Sequence, residues 1–559
     1  MTYHRTPLTA PRLSGTPLRL LAGLAGSGVG RLLRLKLVSD AGIPKLMGYP
    51  ADDAPLKPPL FGAATAQPSG EPGTPQAQAE QAANLSPAGS GFRFESIADF
   101  ARAYREGTAD PNQVAEAVLK ATATTEEGSR PMRLFIAQDA DDLRAQAEAS
   151  AKRLAKGKPL SILDGVPVAV KDELDQVPYP TTVGTKFLGK HPAAEDATLV
   201  ARLRAAGALL IGKANMHEIG IGMTGLNPHH GVCRNPYDPS RHSGGSSSGP
   251  AATVAAGLCP TAIGVDGGGS IRVPAGFCGM VGLKPTNGRV SEHGAAPLAW
   301  NVAAAGPIAA NVRDLAATYA LIAGPDEHDP PTLNRPPVHL EGLENTDLSG
   351  VTLGMYQPWF EDADPLVVDA CKAMVDRLKE AGARVEAVTI PDIDAVGMAH
   401  VVIIASEMLT SQLPYYHRHR ADYGLDVQFN LAIAREFGSN LYVHALRHRA
   451  RFTRIANKVL QKVDGIVLPT SGCVAPPMAG ESNVPLLDKI MRFSAFANLT
   501  ALPSISFPAG YNEDGLPISL QVMGRHWEEH LLLRIAHAAE ATVERRQPQV
   551  WHSLLGREA

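Results

Sequence analysis

The feature that most constrains this chain is a run of small residues between positions 243 and 274. It holds two glycine- and serine-rich clusters, at 243–249 and 267–270, and the stretch between them predicts a helix at 251–257 and a buried strand at 261–265. A flexible loop would not continue into a helix and a strand. Both clusters are therefore predicted to be held at the ends of regular elements.

The clusters contain a candidate nucleophile and its partners. Three glycines precede Ser270, and consecutive backbone N–H groups without side chains suit an oxyanion hole. Ser246 lies 24 residues upstream, and Lys171 ends the apolar run at 165–170. A lysine that burial makes neutral can act as a base. We therefore take Lys171, Ser246 and Ser270 as the candidate catalytic residues.

Strand-like and helix-like stretches alternate through the middle of the chain. Strands are predicted at 166–170, 208–211 and 261–265, and helices at 196–206, with Asp196 as N-cap, and 251–257. Further helices are predicted at 365–382, 394–412 and 440–463, and two capped helix starts at Ser96 and Asp110. This alternation predicts an α/β fold in which helices cover a mixed or parallel sheet.

The first 91 residues differ in composition from the rest. Residues 64–91 are rich in Pro, Ala, Gln and Gly and predict a linker, so the folded body is expected to span 92–559. Residues 1–63 predict a helical extension, in which the amphipathic segment 17–38 carries dispersed arginines that do not fit a cleavable signal peptide. Contact with a membrane surface, a dimer contact and an ordinary surface helix all remain open for it.

Composition excludes several classes of partner. A net charge of −4 argues against a nucleic-acid partner. Five cysteines without a CxxC pair argue against a disulfide framework and favour a reducing, cytoplasmic location. No run of 18 apolar residues exists, so no membrane-spanning helix is predicted.

Two short motifs offer alternative interpretations of the serine clusters. Residues 245–249 match the G-x-S-x-G nucleophile elbow, which would make Ser247 the nucleophile, but a turn-like segment precedes them where the elbow needs a strand. A phosphate-binding P-loop needs a lysine after its glycines, and Gly269-Ser270-Ile271 has none. We therefore favour Ser270 as the nucleophile.

The histidines do not form a recognisable metal motif. His217-Glu218 lacks the second histidine of HExxH, and the adjacent His229 and His230 would point to opposite faces of a strand. We expect neither a metal nor a cofactor.

Lys171, the run GGSSSG at 244–249 and the run GVDGGGSIRVPAGFCGMVGLKPTNGRVS at 264–291 resemble the signature of the amidase signature family. The order of lysine and two serines and the spacing of the serines also match, and the resemblance covers about residues 92–545. It implies an α/β/α sandwich with a large central mixed β-sheet covered by helices. It also implies a serine amidohydrolase without a cofactor, acting on a small-molecule amide.

The resemblance assigns roles to these residues. Ser270 would attack the amide carbonyl and carry the acyl group, Ser246 would relay the proton, and Lys171 would accept it and return it to the leaving amine. A cis peptide is implied between Gly245 and Ser246. The backbone N–H groups expected to bind the oxyanion are those of Gly267, Gly268, Gly269 and Ser270.

Four further residues have expected supporting roles. Asp266 and Arg272, which flank the nucleophile, are expected to orient the glycine loop without taking part in catalysis. Ser247 and Thr224 are expected to contribute to the substrate site.

Within the family, the variants SSSG at 246–249 and DGGGS at 266–270 and the N-terminal extension resemble plant-type fatty acid amide hydrolases. That branch implies a lipid-like substrate such as an N-acylethanolamine, and a homodimer with peripheral membrane contact. The alternatives are an amidase for aryl or short aliphatic amides, a glutamine amidohydrolase subunit of a tRNA-dependent amidotransferase, and a vestigial membrane-surface or scaffold protein. Amidotransferase subunits usually begin close to their catalytic body, so the long extension disfavours that alternative.

Overall fold

The computed structural model describes residues 14–51, 72–478 and 484–556. Within these ranges the α-helices are α1 (Gly15–Gly26), α2 (Arg31–Asp40), α3 (Pro75–Ala83), α4 (Ile97–Glu106), α5 (Pro111–Thr125), α6 (Ala140–Ala155), α7 (Thr198–Ala205), α8 (Ser248–Ala255), α9 (Arg272–Phe277), α10 (Val312–Ile322), α11 (Gln357–Phe360), α12 (Pro365–Glu380), α13 (Asp394–His419), α14 (Leu425–Ala434), α15 (Ser439–Leu460), α16 (Val484–Met491), α17 (Ala495–Leu499) and α18 (Glu529–Glu540). The strands are β1 (Ser90–Gly91), β2 (Phe135–Ala137), β3 (Pro167–Lys171), β4 (Leu209–Ala214), β5 (Arg234–Asn235), β6 (Asp238–His242), β7 (Thr261–Val265), β8 (Val281–Lys284), β9 (Ala305–Ala309), β10 (Thr352–Met355), β11 (Arg384–Ala387), β12 (Gly465–Pro469), β13 (Ser504–Tyr511), β14 (Pro517–Gly524) and β15 (Glu544–Arg545).

A single large sheet organises the molecule. Eleven of the described strands form it, in the order β11-β10-β12-β14-β13-β8-β9-β7-β3-β4-β2. The pairs on either side of β3 are parallel, whereas the central pairs from β12 to β7 are antiparallel. Helices such as α9, α10, α12 and α18 pack on the sheet. The prediction of an α/β fold with a mixed sheet covered by helices is confirmed.

Apolar strand sequences explain where the core lies. Every residue of β3 (PVAVK) and β7 (TAIGV) is buried, as expected for strands inside a sheet that is covered on both faces. The strands predicted at 166–170 and 261–265 therefore agree with the structure to within one residue.

The five cysteines are free thiols, and four of them are buried.

One helix start differs from its prediction. Helix α4 begins after Ser96 with the expected capping box. Helix α7, however, begins at Thr198 after Ala197, so the prediction of Asp196 as N-cap is wrong. The Asp196 carboxylate instead accepts a hydrogen bond from Arg204 Nε at 2.6 Å. Asp196 thus pairs with a charged side chain in the last turn of the helix and does not cap its start.

The segment predicted as a linker contains a packed helix. Thr74 caps α3 by accepting the Ala77 amide at 3.2 Å, and Ala79, Ala82 and Ala83 are buried against α10. Alanine side chains permit this close approach of two helices. The linker prediction is therefore wrong for residues 75–83, and residues 64–71 lie outside the described ranges.

The N-terminal extension is helical where it is described. Helix α1 packs on α14, and α2 also contacts α14. The buried Arg34 joins the two parts: its Nε donates to Glu436 at 2.6 Å, and its Nη1 donates to the carbonyls of Ala25 and Ser27. One arginine thus ties α2 both to α1 and to the catalytic body.

Helix α13 is the one described helix that is long and apolar enough to cross a membrane, although the sequence predicted none. Half of the most apolar 18-residue stretch of this helix is buried inside the fold. His400 and Glu407 on this helix contact Gly267 and the backbone amides of Trp300 and Asn301. We therefore assign α13 as a core helix.

The Arg34 contacts predict how firmly the extension is held. The side chains of Arg34 and Glu436 are 6% and 9% exposed, whereas Arg31, 3.8 Å from the same carboxylate, is 74% exposed. Arg34→Ala removes the close, buried partner of the Glu436 carboxylate and should weaken the docking of residues 15–40 by about 3 kcal/mol. Hydrogen exchange of their amides should become about 100-fold faster.

Arg31→Ala is the matched control, since an exposed pair contributes about 1 kcal/mol or less. Equal exchange rates in the two variants would contradict the anchoring role of Arg34.

Candidate active site

Lys171 lies at the end of β3 and is completely buried. Its Nζ is 2.9 Å from Ser246 Oγ, 3.1 Å from the Val265 carbonyl and 2.6 Å from Glu173 Oε2. Strand β7 runs parallel to β3 and ends at Val265. The parallel pairing thus brings the lysine and the start of the glycine loop to the same edge of the sheet.

The two serine clusters meet at this edge. The Gly245–Ser246 peptide is cis, as the resemblance predicted. The Ser247 amide donates to the Ser270 carbonyl at 3.2 Å, and the Ser246 carbonyl accepts the His217 amide at 3.0 Å. These backbone bonds hold the Ser246 turn against the Ser270 loop.

Three side chains form hydrogen bonds with the backbone of the glycine loop. His400 Nε2 donates to the Gly267 carbonyl at 2.7 Å, and Ser494 Oγ donates to the Gly268 carbonyl at 2.6 Å. The Gly269 amide donates to Asp266 Oδ1 at 2.6 Å. Because the carbonyls of Gly267 and Gly268 are both hydrogen-bonded to side chains of the protein, the directions of the loop N–H groups are fixed.

These contacts correct the predicted oxyanion hole. The Gly269 N–H is already bonded to Asp266, so it is not available to a substrate oxygen. Within the described part of the chain, the amides of Gly267, Gly268 and Ser270 have no protein acceptor. The candidate donors are therefore these three amides.

The carboxylate of Asp266 is buried and holds the loop in place. Burial alone would raise its pKa, but the charge and hydrogen bonds of Arg272 outweigh burial and hold the pKa well below its usual range. Its oxygens also accept the amides of Gly269 and Ile271. Asn498 Nδ2 donates to Oδ1 at 2.9 Å. Asp266 and Arg272 thus orient the loop, as predicted, and remain outside the reacting atoms.

The hydroxyl of Ser270 lies beside Met223. Its Oγ lies 3.8 Å from the Met223 sulfur, and the residue is almost buried. Thr224 follows Met223 and is half-buried. A place for Thr224 in the substrate site stays a prediction.

Ser247 does not reach the site. It is completely buried, and its Oγ bonds both the N–H and the carbonyl of Val265 at 3.3 Å. The expectation that it contributes to the substrate site is therefore wrong, and its hydroxyl fastens α8 to β7. Ser247 occupies the serine position of the G-x-S-x-G motif, but its buried hydroxyl is not placed to act as a nucleophile.

The histidines considered above pair with acids or with the backbone. His217 Nε2 contacts Asp426 at 2.8 Å, and His229 Nε2 contacts Glu218 at 2.7 Å. His230 bonds the Thr185 carbonyl at 3.2 Å. In the described ranges no three His, Cys, Asp or Glu side chains are grouped as a metal site.

Sequence reasoning missed four residues of this site: Glu173, His400, Ser494 and Asn498. Three of them come from distant parts of the chain, on α13, before α17 and on α17, and no local pattern marks them. Glu173 had a signal, because Asp-Glu follows directly after Lys171, the candidate base.

Comparison with known proteins agrees with this geometry. A family model described as Amidase matches residues 115–533. A fatty acid amide hydrolase of Oryza sativa subsp. indica is 39% identical over 99% of this chain and 96% of its own length. A fatty acid amide hydrolase of Medicago truncatula is 38% identical over 87% of this chain and 84% of its own. A solved structure of a peptide amidase with the competitive inhibitor chymostatin superimposes with a TM-score of 0.69 at 30% identity, over 81% of this chain and 98% of the other.

The fold and the site define a hydrolase with a buried lysine–serine pair beside a glycine loop. The chain belongs to the amidase family. It is an amidase, an enzyme that hydrolyses the carbon–nitrogen bond of amides.

Proposed function

We propose that this amidase hydrolyses fatty acid amides, such as N-acylethanolamines, to the free acid and amine through an acyl-enzyme on Ser270. The contact that carries the catalytic part is the 2.9 Å hydrogen bond between Lys171 Nζ and Ser246 Oγ, both buried at the edge of the sheet. The similarity to the rice fatty acid amide hydrolase supports the substrate class.

The proposed reaction gives each of these groups one role. Ser270 Oγ attacks the amide carbonyl as its proton passes to Ser246 and the proton of Ser246 passes to Lys171. The amides of Gly267, Gly268 and Ser270 stabilise the oxyanion that forms from the carbonyl oxygen. One such donor lowers the activation free energy by about 2.7–4 kcal/mol. The proton returns by the same route to the leaving amine, and water then releases the acid.

Apolar side chains on two sides of the site support a lipid-like substrate. One cluster contains Met223, Phe277 and Ile490, and Met491 of the same group packs against Gly268. A second cluster, which includes Leu298 and Met408, lies beside Gly220 on the Ser246 side. A fatty acyl chain would find apolar contacts on either side of the nucleophile. An aryl or short aliphatic amide would use only part of them.

The catalytic assignment predicts a sharp difference between two neighbouring serines. Ser270→Ala should abolish amide turnover and covalent labelling by a fluorophosphonate, because the attacking oxygen is gone. Ser247→Ala should keep most of both, since that hydroxyl bonds only the Val265 backbone. Mass spectrometry of the labelled protein is the measurement. Undiminished labelling of Ser270→Ala would refute the assignment of Ser270 as the nucleophile. An unlabelled wild-type protein would favour the alternative of a vestigial membrane-surface or scaffold protein.

The substrate class predicts an order of rates. Long-chain N-acylethanolamines should exceed acetamide-sized and aryl amides in kcat/KM by about 100-fold or more, because each methylene removed from water contributes about 0.8 kcal/mol. A panel assay of purified enzyme, including glutamine, measures this. Faster turnover of short or aryl amides would overturn the fatty-amide proposal, and glutamine turnover with co-purified partner proteins would favour an amidotransferase component.

The N-terminal extension supports a further proposal, that this enzyme contacts a membrane surface. Large apolar side chains on or beside α1 and α2 are exposed, namely Leu20, Leu24, Val29, Leu32, Leu35 and Met47. Next to α1, Arg418, Arg420 and Arg435 line a cleft of about 330 Å³. Apolar side chains beside a basic rim are complementary to an anionic lipid surface. A homodimer contact through the same face is the alternative.

Substitution of the two most exposed of these residues tests the surface. Val29 and Leu32 are 84% and 81% exposed, so Val29→Ser with Leu32→Ser should leave folding intact. Binding to anionic vesicles in a sedimentation assay should fall about tenfold or more, since burying each side chain contributes about 1.5–3 kcal/mol. Leu366→Ser, an exposed leucine on α12, is the control. Unchanged vesicle binding with a lower oligomeric mass would favour the dimer contact, and no change in either would contradict both.

A further inference from the structure

The base lysine has an acidic neighbour that the relay above does not use. Glu173 lies in the turn after β3, and its Oε2 is 2.6 Å from Lys171 Nζ. The two side chains are 0% and 7% exposed. Within the described ranges, Lys171 is the one cation that contacts this carboxylate. A buried carboxylate in contact with the lysine of a proposed proton relay calls for a functional explanation.

The three contacts of Lys171 differ in what they can do. A neutral amine has two N–H groups and one lone pair. The Val265 carbonyl and an ionised Glu173 can only accept hydrogen bonds, whereas the Ser246 hydroxyl can also donate one. When both acceptors take the N–H groups, the lone pair faces Ser246 Oγ, 2.9 Å away. Glu173 and Val265 together therefore fix the direction in which the lysine acts as a base.

We propose that Glu173 is a positioning residue for acyl transfer: it aligns the lone pair of neutral Lys171 with Ser246 and stabilises the ammonium that forms when the proton arrives. This inference rests on the proposed function of Ser270, Ser246 and Lys171. As the Ser270 oxygen bonds to the carbonyl carbon, one proton moves from Ser270 to Ser246 and another from Ser246 to Lys171. When the carbon–nitrogen bond breaks, the proton returns to the amine, and Glu173 gains and loses no atom.

Other titratable groups lie close to Glu173. The loop at 291–296 packs on this turn, with the Ala296 amide donating to the Glu173 carbonyl at 2.8 Å. Burial, with the charges of Asp329 and Glu173, raises the pKa of Glu292 in that loop to about 8. Glu292 is therefore largely neutral at pH 7. Asp172 in the same turn pairs with Lys213 at 3.4 Å, and Asp175 accepts a hydrogen bond from Thr181. Lys284, which acts on Glu292, has its pKa lowered to about 7 by burial.

The test is the pH profile of kcat/KM for Glu173→Gln. Removing the carboxylate takes away the negative charge 2.6 Å from Lys171 Nζ, so the acid limb of the profile should move to lower pH. The plateau should fall by about tenfold, a part of the 10²–10⁴ that a positioned base contributes. Glu173→Asp keeps the charge and should return the limb towards its wild-type pH. Glu292→Gln, which removes a neighbouring carboxyl that does not contact Lys171, should move the limb much less.

The outcomes separate this inference from the function on which it rests. An unmoved acid limb in folded Glu173→Gln, checked by its Tm, or an equal shift in Glu292→Gln, would overturn the positioning role. If Glu173→Gln does not fold, Glu173→Ala replaces it, and an unmoved acid limb of fluorophosphonate labelling in that variant would overturn the positioning role instead. Wild-type turnover by Lys171→Ala would refute the relay itself, whatever Glu173 does.

Discussion

The buried carboxylate of Asp266 is the interaction on which the active site depends. A carboxylate at the end of a core strand is costly to bury unless its charge and lone pairs are satisfied. Here Arg272 supplies the charge, and loop amides and Asn498 supply further hydrogen bonds. Arg272 is itself completely buried and needs Gln521 on β14 and Asn498 on α17. The backbone of the nucleophile loop is thus fixed by groups more than 200 residues downstream, and it takes this shape only in the completed fold.

The same dependence governs the base. Lys171 lies where the parallel strands β3 and β7 end together, so the register of two strands decides what its amine can contact. Its three neighbours are a hydroxyl, a carbonyl and a carboxylate, and they are chemically distinct. The surroundings of this candidate base are therefore a property of the sheet edge as a whole.

Local patterns predicted well what local physics decides. Apolar runs located β3 and β7, capping residues located the start of α4, and the serine spacing located the catalytic candidates. The same patterns failed where a partner from elsewhere competes. Asp196 has the composition of a cap but binds Arg204, and Ser247 has the motif of a nucleophile but bonds the backbone of β7. The small-residue segment 75–83 has the composition of a linker, yet its alanines allow a helix to pack closely on α10.

The sequence by itself determined the class of fold, the catalytic candidates Lys171, Ser246 and Ser270, and the family, because these follow from hydrophobic periodicity and from short motifs whose residues act together. The tertiary structure decided which loop amides can face the oxyanion and that Ser247 is structural. It also decided that Glu173 contacts the base, and how the extension is anchored. These properties depend on hydrogen bonds and ion pairs between residues far apart in the chain, such as His400 with Gly267 and Arg34 with Glu436. A contact of that kind exists only once the sheet has brought its two sides together.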